Sequence, residues 1–147
     1  MASKQFIGYP VDRMLGAFDD PTDAAAAAAG LRAAGIADRD ITVLRGSEGA
    51  DRLDGTGGRH GPMAKVRRVV SFTVMDQLPD FTWYEAEVRR GGAVLMVRAR
   101  GTERTRKVAA VMREHNGHFI NHYGRFATEE LARWRGPEPD VPDVMRR

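Results

Sequence analysis

Short apolar blocks alternate with polar turns along the chain, and their spacing predicts a mixed α/β protein. Residues 14–18, 41–44, 93–99 and 118–123 are short and rich in apolar or β-branched side chains, as strands are. Helices are predicted over 21–34, 81–90 and 103–115, which are alanine-rich or carry apolar residues at helical spacing. A further short helix is predicted over 129–135, with Thr128 as its cap.

Capping and helix-breaking residues set several of these boundaries. Asp20 is placed to cap a helix that begins at Pro21, and Gly35 is suited to end it in a left-handed conformation. Pro79 is expected to break any helix that precedes residue 81, and Asp80 is expected to cap the helix that follows.

The order of strand, helix, glycine and strand occurs twice, over 14–44 and over 94–123. A doubled βαβ unit is the pattern of the ferredoxin-like sandwich, in which four strands form an antiparallel sheet with two helices on one face. We therefore expect a single domain over 1–136 and a proline-rich tail over 137–147. The other face of the sheet needs a cover, which the inserted segment 62–90, the C-terminal segment or a second subunit would supply.

Two stretches between the repeats have weaker patterns. Residues 46–61 contain six glycines among polar side chains, which predicts a long loop. Residues 63–76 fit helical spacing but are also rich in valine, so helix is favoured and strand is the alternative.

Three pieces of sequence occur together in a recognisable order. They are residues 16–20 ahead of an alanine-rich helix, Tyr84-Glu85 ahead of residues 90–95, and a helix that closes on residues 112–117. This set resembles the bacterial heat-induced general stress protein domain over roughly residues 12–123. The resemblance implies a small stress-associated α/β domain without assigned chemistry, and it supplies no catalytic residues. The valine-rich stretch 66–74 and the extension 124–147 depart from the family pattern.

Composition narrows the class of protein. The chain has 147 residues, 42% of them hydrophobic, which suits one globular domain. It has no cysteine, so disulfides and thiolate metal sites are excluded. No apolar run approaches the roughly 20 residues that a membrane helix needs. We expect a cytoplasmic protein without membrane insertion.

Charge is distributed unevenly. Residues 1–59 carry 7 basic and 9 acidic side chains, whereas residues 60–147 carry 16 and 11, and most of the basic side chains are arginines. An arginine-rich half suits an anionic partner, although dispersed charges also mark an ordinary solvated surface. The glycine-rich residues 55–61 precede a predicted helix, and backbone N–H groups in such a loop can bind a phosphate group. The alternative is that these residues form only a flexible connection. The candidate anion-binding residues are Arg59, His60, Lys65, Arg67 and Arg68.

Aromatic and arginine side chains cluster in the C-terminal extension. This combination is typical of protein interfaces, and it also suits base stacking or packing within the chain. We favour contact between subunits of a homo-oligomer. The proposed interface residues are Tyr123, Arg125, Phe126, Arg133, Trp134 and Arg135.

The sequence shows no catalytic constellation. His115, His118 and His122 lie close in sequence, but strand geometry separates the last two by about 13 Å, too far to share one metal ion. The pair Asp19/Asp20 is explained by helix capping, and Glu85/Glu87 by an exposed helical face. No catalytic residue, metal ligand or cofactor is predicted.

Two functions remain as hypotheses. The first is a non-enzymatic, stress-associated protein that acts by self-assembly or protein–protein contact through its C-terminal arm. The alternative is a binding module for an anionic partner, either RNA on a ribosome or a phosphorylated small ligand.

Overall fold

The computed structural model describes residues 11–53, 72–124 and 127–138. A 3-10 turn, Asp38–Asp40, precedes the second strand. The strands are β1 (Arg13–Phe18), β2 (Ile41–Arg45), β3 (Ala93–Arg98), β4 (His118–Tyr123) and β5 (Thr128–Ala132). The helices are α1 (Pro21–Ala33), α2 (Gly46–Leu53), α3 (Phe72–Arg89) and α4 (Thr102–Glu114).

The five strands form one antiparallel sheet in the order β2-β3-β1-β4-β5. The sheet therefore has one strand more than the four that the repeat predicts. A bulge interrupts the pairing of β1 with β4 between Leu15 and Ala17, and it allows the neighbouring side chains of His118 and Phe119 both to contact Trp134.

Helices cover both faces of the sheet. Helices α1 and α4 pack on one face, with Leu31, Val108 and Met112 fully buried. Helices α2 and α3 pack on the other, with Leu53 and Tyr84 fully buried. Of the three covers considered for the second face, the helices between the repeats provide most of it, and Trp134 packs at its margin. Within the described residues, no helix is long and apolar enough to span a membrane.

Several predicted elements are confirmed. The strand over 118–123 has the predicted limits, and the other three predicted strands differ by at most one residue at either end. Asp20 caps α1 by accepting a hydrogen bond from the Thr22 backbone N–H at 2.8 Å. Gly35 follows α1 with a φ of 95°, which is the left-handed stop expected of it.

The predicted helix over 129–135 is wrong, because the structure has strand β5 at Thr128–Ala132. The connection from β4 is short enough to close a hairpin, with the Gly124 backbone N–H donating to the Ala127 carbonyl at 2.9 Å. Pairing with the open edge of β4 satisfies the backbone groups of this segment, and this gain from strand pairing overrides the helix propensity of its Glu-Glu-Leu-Ala sequence.

Two further boundaries differ from the prediction. The first part of the predicted loop 46–61 is helix α2, because Ala50 and Leu53 are buried against the core, while the rest of that loop lies outside the described residues. Helix α3 continues through Pro79, so the predicted break is wrong. Asp80 is a buried residue inside the helix and not its cap. Of the ambiguous stretch 63–76, the described part from Phe72 onward is helical.

Candidate functional site

A fully buried carboxylate lies at the C-terminal end of α3. Glu87 has no exposed surface, and its two carboxylate oxygens accept hydrogen bonds from Arg90 Nε at 3.0 Å and Arg90 Nη2 at 2.9 Å. A paired, forked contact of this kind offsets much of the cost of burying the charge. The interpretation of Glu87 as an exposed surface residue is therefore wrong.

Gly92 makes this burial possible. A Cβ atom at position 92 would overlap the Glu87 carboxylate and would lie 2.6 Å from the Phe18 carbonyl oxygen. The absence of a side chain at Gly92 thus lets the carboxylate lie directly against the turn between α3 and β3.

His118, the first residue of β4, joins the same group of side chains. Its Nε2 lies 2.9 Å from Asp19 Oδ1 and 3.6 Å from Glu87 Oε2, and the ring is 1% exposed. Its Nδ1 accepts the backbone N–H of Arg135 at 3.1 Å. Because Nδ1 accepts, Nε2 carries the proton of the neutral ring and donates it to Asp19. Asp19, Glu87, Arg90 and His118 are together called the buried charge cluster, because Glu87 and His118 are buried; the side chains of Asp19 and Arg90 are 64% and 38% exposed.

The pKa of Asp19 reflects this environment. Partial burial raises the pKa, but the hydrogen bond from His118 Nε2 and the positive charge of Arg90 outweigh burial and hold the pKa below its ordinary value of 3.8. The hydrogen bond to Glu87 is the main reason that the pKa of the Arg90 guanidinium is raised further, against the opposing effect of desolvation. The carboxylate of Asp19 is therefore charged and held in an ion pair at neutral pH.

The donor atoms of Asp19, Glu87 and His118 lie within 4.8 Å of one another, which is close enough to consider a metal ion. The hydrogen bonds of the cluster do not fit one. A metal on His118 Nε2 would have to displace the proton that the Arg135 backbone N–H fixes there, and Arg90 already occupies both carboxylates. The geometry instead favours a structural junction between β1, α3, β4 and the C-terminal segment.

Trp134 lies over this junction. Its ring packs edge-on against Trp83 at 5.1 Å, His118 at 4.6 Å and Phe119 at 5.6 Å between centroids. The Arg90 guanidinium carbon lies 5.5 Å from the centroid of the same ring, within cation–π range. Trp134 is thus packed substantially against its own chain.

A second buried polar network lies between α3 and β4. The Tyr123 hydroxyl donates to Asp80 Oδ2 at 2.9 Å, and the Asn121 amide donates to the Tyr84 hydroxyl at 2.9 Å. Desolvation is the main reason that the pKa of Tyr123 is raised well above its ordinary value. Tyr123, one of the proposed interface residues, is fully buried in this network and presents no surface to a partner.

The other predicted site residues fall into two groups. Arg133 is exposed, and the Arg135 guanidinium donates to the carbonyls of Asn116 at 3.0 Å and Gly117 at 3.4 Å. The remaining predicted residues lie outside the described part of the chain; they are Arg125 and Phe126 of the proposed interface, and Arg59, His60, Lys65, Arg67 and Arg68 of the proposed anion site.

A cavity of about 600 Å³ lies beside the buried charge cluster, and the two share the turn at Gly91-Gly92. It is called the basic cavity here because its charged residues are both arginines. Sequence reasoning missed it, since its residues come from three separate parts of the chain. It is lined by Pro21, Arg45, Gly46, Ser47, Val88, Arg89, Gly91 and Gly92.

Comparison with known proteins finds no matching family model, no matching curated protein and no matching solved structure. Function is therefore inferred from the geometry of the described residues.

Proposed function

We propose that the protein is a non-enzymatic binding domain whose basic cavity takes a small ligand that bears a phosphate group. The observation that carries this proposal is the charge of the lining: Arg45 and Arg89 contribute guanidinium groups, of which that of Arg89 also contacts Glu85, and none of the lining residues is acidic. A cavity of about 600 Å³ is within the range of small-molecule sites. Guanidinium groups recognise phosphate through forked hydrogen bonds.

The backbone around the cavity adds to its positive potential. Pro21 is the first residue of α1, and Gly46 and Ser47 are the first two residues of α2. Helix N-termini carry partial positive charge; because the Asp20 carboxylate already caps α1, the N-terminus of α2 is the one that favours an anion in the cavity. The Ser47 hydroxyl is a further hydrogen-bond donor on the lining.

A second cavity with basic side chains is less suited to an anion. It lies at the N-terminus of α4, with a volume of about 530 Å³, and is lined in part by Arg104 and Lys107. Glu103 also lines it, whereas no acidic residue lines the basic cavity. One arginine of each cavity is paired with a carboxylate, Arg104 with Asp40 at 3.1 Å and Arg89 with Glu85 at 2.8 Å, so these pairs do not distinguish the two cavities. The carboxylate of Glu103 offsets part of the positive charge of the second cavity, so the cavity beside α1 and α2 is the better candidate.

The absence of enzymatic activity is part of the proposal. The lining of the basic cavity holds neither carboxylates nor imidazoles, which are the usual proton-transfer groups. Glu87 and His118, which lie beside the cavity, are buried and occupied by hydrogen bonds within the buried charge cluster. This arrangement supports ligand binding over acid–base chemistry.

The finer fold and the family remain part of this proposal. The order β2-β3-β1-β4, with α1 and α4 on one face, supports a ferredoxin-like domain to which β5, α2 and α3 are additions. The resemblance to heat-induced general stress proteins rests on the sequence pieces around residues 16–20, 84–95 and 112–117. A rise in the level of the protein after heat shock of its host would support that relationship, and an unchanged level would count against it.

Calorimetric titration with inorganic phosphate, pyrophosphate and ATP tests the binding proposal. We expect saturable binding that weakens as salt is raised, and at least tenfold weaker binding by the double variant Arg45→Ala, Arg89→Ala. Arg106→Ala is the matched control, since Arg106 is an exposed arginine that does not line the cavity. Equal losses in the double variant and the control, or binding of RNA alone, would contradict a small-ligand site in this cavity.

Self-association is the second candidate function. The C-terminal arm supports it weakly, because Tyr123 is buried and Trp134 packs on the same chain. A different surface favours it more strongly: β2 is the last strand on its side of the sheet, so its outer backbone edge is unpaired among the described strands.

A further inference from the structure

The two edges of the sheet differ in their suitability for pairing with another strand. Strand β2 has the sequence Ile-Thr-Val-Leu-Arg, with no proline, glycine or acidic residue, and it pairs with β3 in regular register. Its first three residues are half-buried. A regular, apolar edge strand of this kind is a ready template for a further strand.

Strand β5, at the opposite edge, carries features that discourage pairing. It has a register shift opposite Ile120 and Asn121, and two consecutive exposed glutamates, Glu129 and Glu130. Bulges and charges on edge strands are common means of preventing edge-to-edge association. The described sheet is therefore open to pairing at one edge and protected at the other.

We infer that β2 pairs antiparallel with β2 of a second copy of this chain, forming a two-fold symmetric dimer with a continuous ten-stranded sheet. This inference deepens the second candidate function and does not depend on ligand binding in the basic cavity. A two-fold axis through Val43 places Ile41 opposite Arg45 and Thr42 opposite Leu44. The residue numbers of each facing pair then differ by an even number. Facing side chains therefore lie on the same face of the continuous sheet.

Charge complementarity favours a second copy as the partner. The turn Asp38–Asp40 directly precedes β2 and carries two aspartates and Arg39, whereas Arg45 ends the strand. Arg32 contacts Asp38 and Arg104 contacts Asp40 within the same chain, and each carboxylate has acceptor capacity for a further cation. Antiparallel pairing brings the acidic turn of each copy beside Arg45 of the other, once at each end of the interface. Because β5 is protected, the assembly closes as a dimer and does not extend into a fibre.

The two-fold axis provides a sharp test, because residue 43 of one copy faces residue 43 of the other. In phosphate-free buffer, which keeps Arg45 available, light scattering on the wild-type chain is expected to approach twice the 16.3 kDa monomer mass as concentration rises. Val43→Lys and Val43→Glu should each shift the protein to monomer through like-charge repulsion. An equimolar mixture of the two variants should recover the dimer mass, which also shows that both variants are folded.

Glu129→Lys, on the protected edge, is the matched control and should leave the wild-type mass unchanged. A wild-type chain that stays monomeric at the highest concentration overturns the inference. A dimer that persists in both Val43 variants, or a mixture that stays monomeric, overturns it as well. Because none of these measurements uses phosphate or nucleotide, failure here is distinguishable from failure of the ligand-binding proposal.

Discussion

His118 Nε2 lies 2.9 Å from Asp19 Oδ1, although 99 residues separate them in the chain. This hydrogen bond joins the end of β1 to the start of β4. The other nitrogen of the same ring accepts the backbone N–H of Arg135, so one imidazole also anchors the C-terminal segment. The stability of the domain should therefore depend on the charge of Asp19 and on the cation that balances Glu87.

Asp19→Asn is expected to lower the melting temperature at neutral pH and to have less effect in acid. The folded-state pKa of Asp19 lies below its ordinary value of 3.8, so its charge stabilises the fold above that value. The stabilisation is lost as pH falls from 3.8 through the lower, folded-state pKa. Thermal melts of both proteins from pH 7 to pH 2 measure this. A difference in melting temperature that stays constant over the whole range would refute the role assigned to the Asp19 charge.

Arg90→Ala is expected to destabilise the protein by about 3 kcal/mol, because it leaves the Glu87 carboxylate buried without its principal cation. Arg89→Ala is the matched control. Arg89 pairs with the less buried Glu85 at 2.8 Å in an i,i+4 arrangement, which is worth about 0.5 kcal/mol or less. Urea unfolding measures the free energy of unfolding of both variants. Equal losses would show that the buried Glu87–Arg90 pair stabilises the fold no more than the Glu85–Arg89 pair does.

Trp134→Ala is expected to cost about 2 kcal/mol, since the half-buried ring contacts Trp83, His118 and Phe119. Arg133→Ala changes a side chain that is 91% exposed and should leave unfolding unchanged. Denaturation followed by far-ultraviolet circular dichroism compares the two. If Trp134→Ala leaves stability intact but changes the mass in solution, the ring belongs to an interface and not to the fold of its own chain.

Gly92→Ala is expected to destabilise the fold by about 1–3 kcal/mol, because the added methyl group meets the Glu87 carboxylate and the Phe18 carbonyl. Gly30→Ala provides a comparison inside a helix. Its methyl group would lie 3.1 Å from Val111 Cγ1, and this crowding opposes the gain in helix propensity of about 0.5–1 kcal/mol. Thermal melts should show a much larger loss at position 92, and the reverse order would contradict the close packing of Glu87.

The elements of the two repeats could be predicted because their signals are local. Asp20 and Gly35 set the limits of α1, and short apolar runs set the limits of the first four strands in the chain. Strand β5 could not be predicted in this way, because its pairing with β4 depends on a partner strand and not on its own composition. Packing of Phe81 and Tyr84 into the core similarly overrides the helix break expected at Pro79.

The candidate site was harder to predict than the fold. Asp19 and Glu87 each have a local explanation in the sequence, as a helix-capping neighbour and as a surface carboxylate. Their contact with His118 arises only when three elements meet. The one sequence signal is the glycine pair 91–92 after Arg89-Arg90, which marks a close approach to the backbone but does not identify the group that approaches.

Chemical-shift mapping with inorganic phosphate tests the central claim most directly, because it reports where the anion binds as well as whether it binds. The account predicts saturable shifts at the backbone amides of Gly46, Ser47, Gly91 and Gly92, and smaller shifts at Gly101 and Thr102 beside the second cavity. Shifts confined to the N-terminus of α4, or no saturable shifts at either place, would contradict the assignment of the basic cavity as the ligand site.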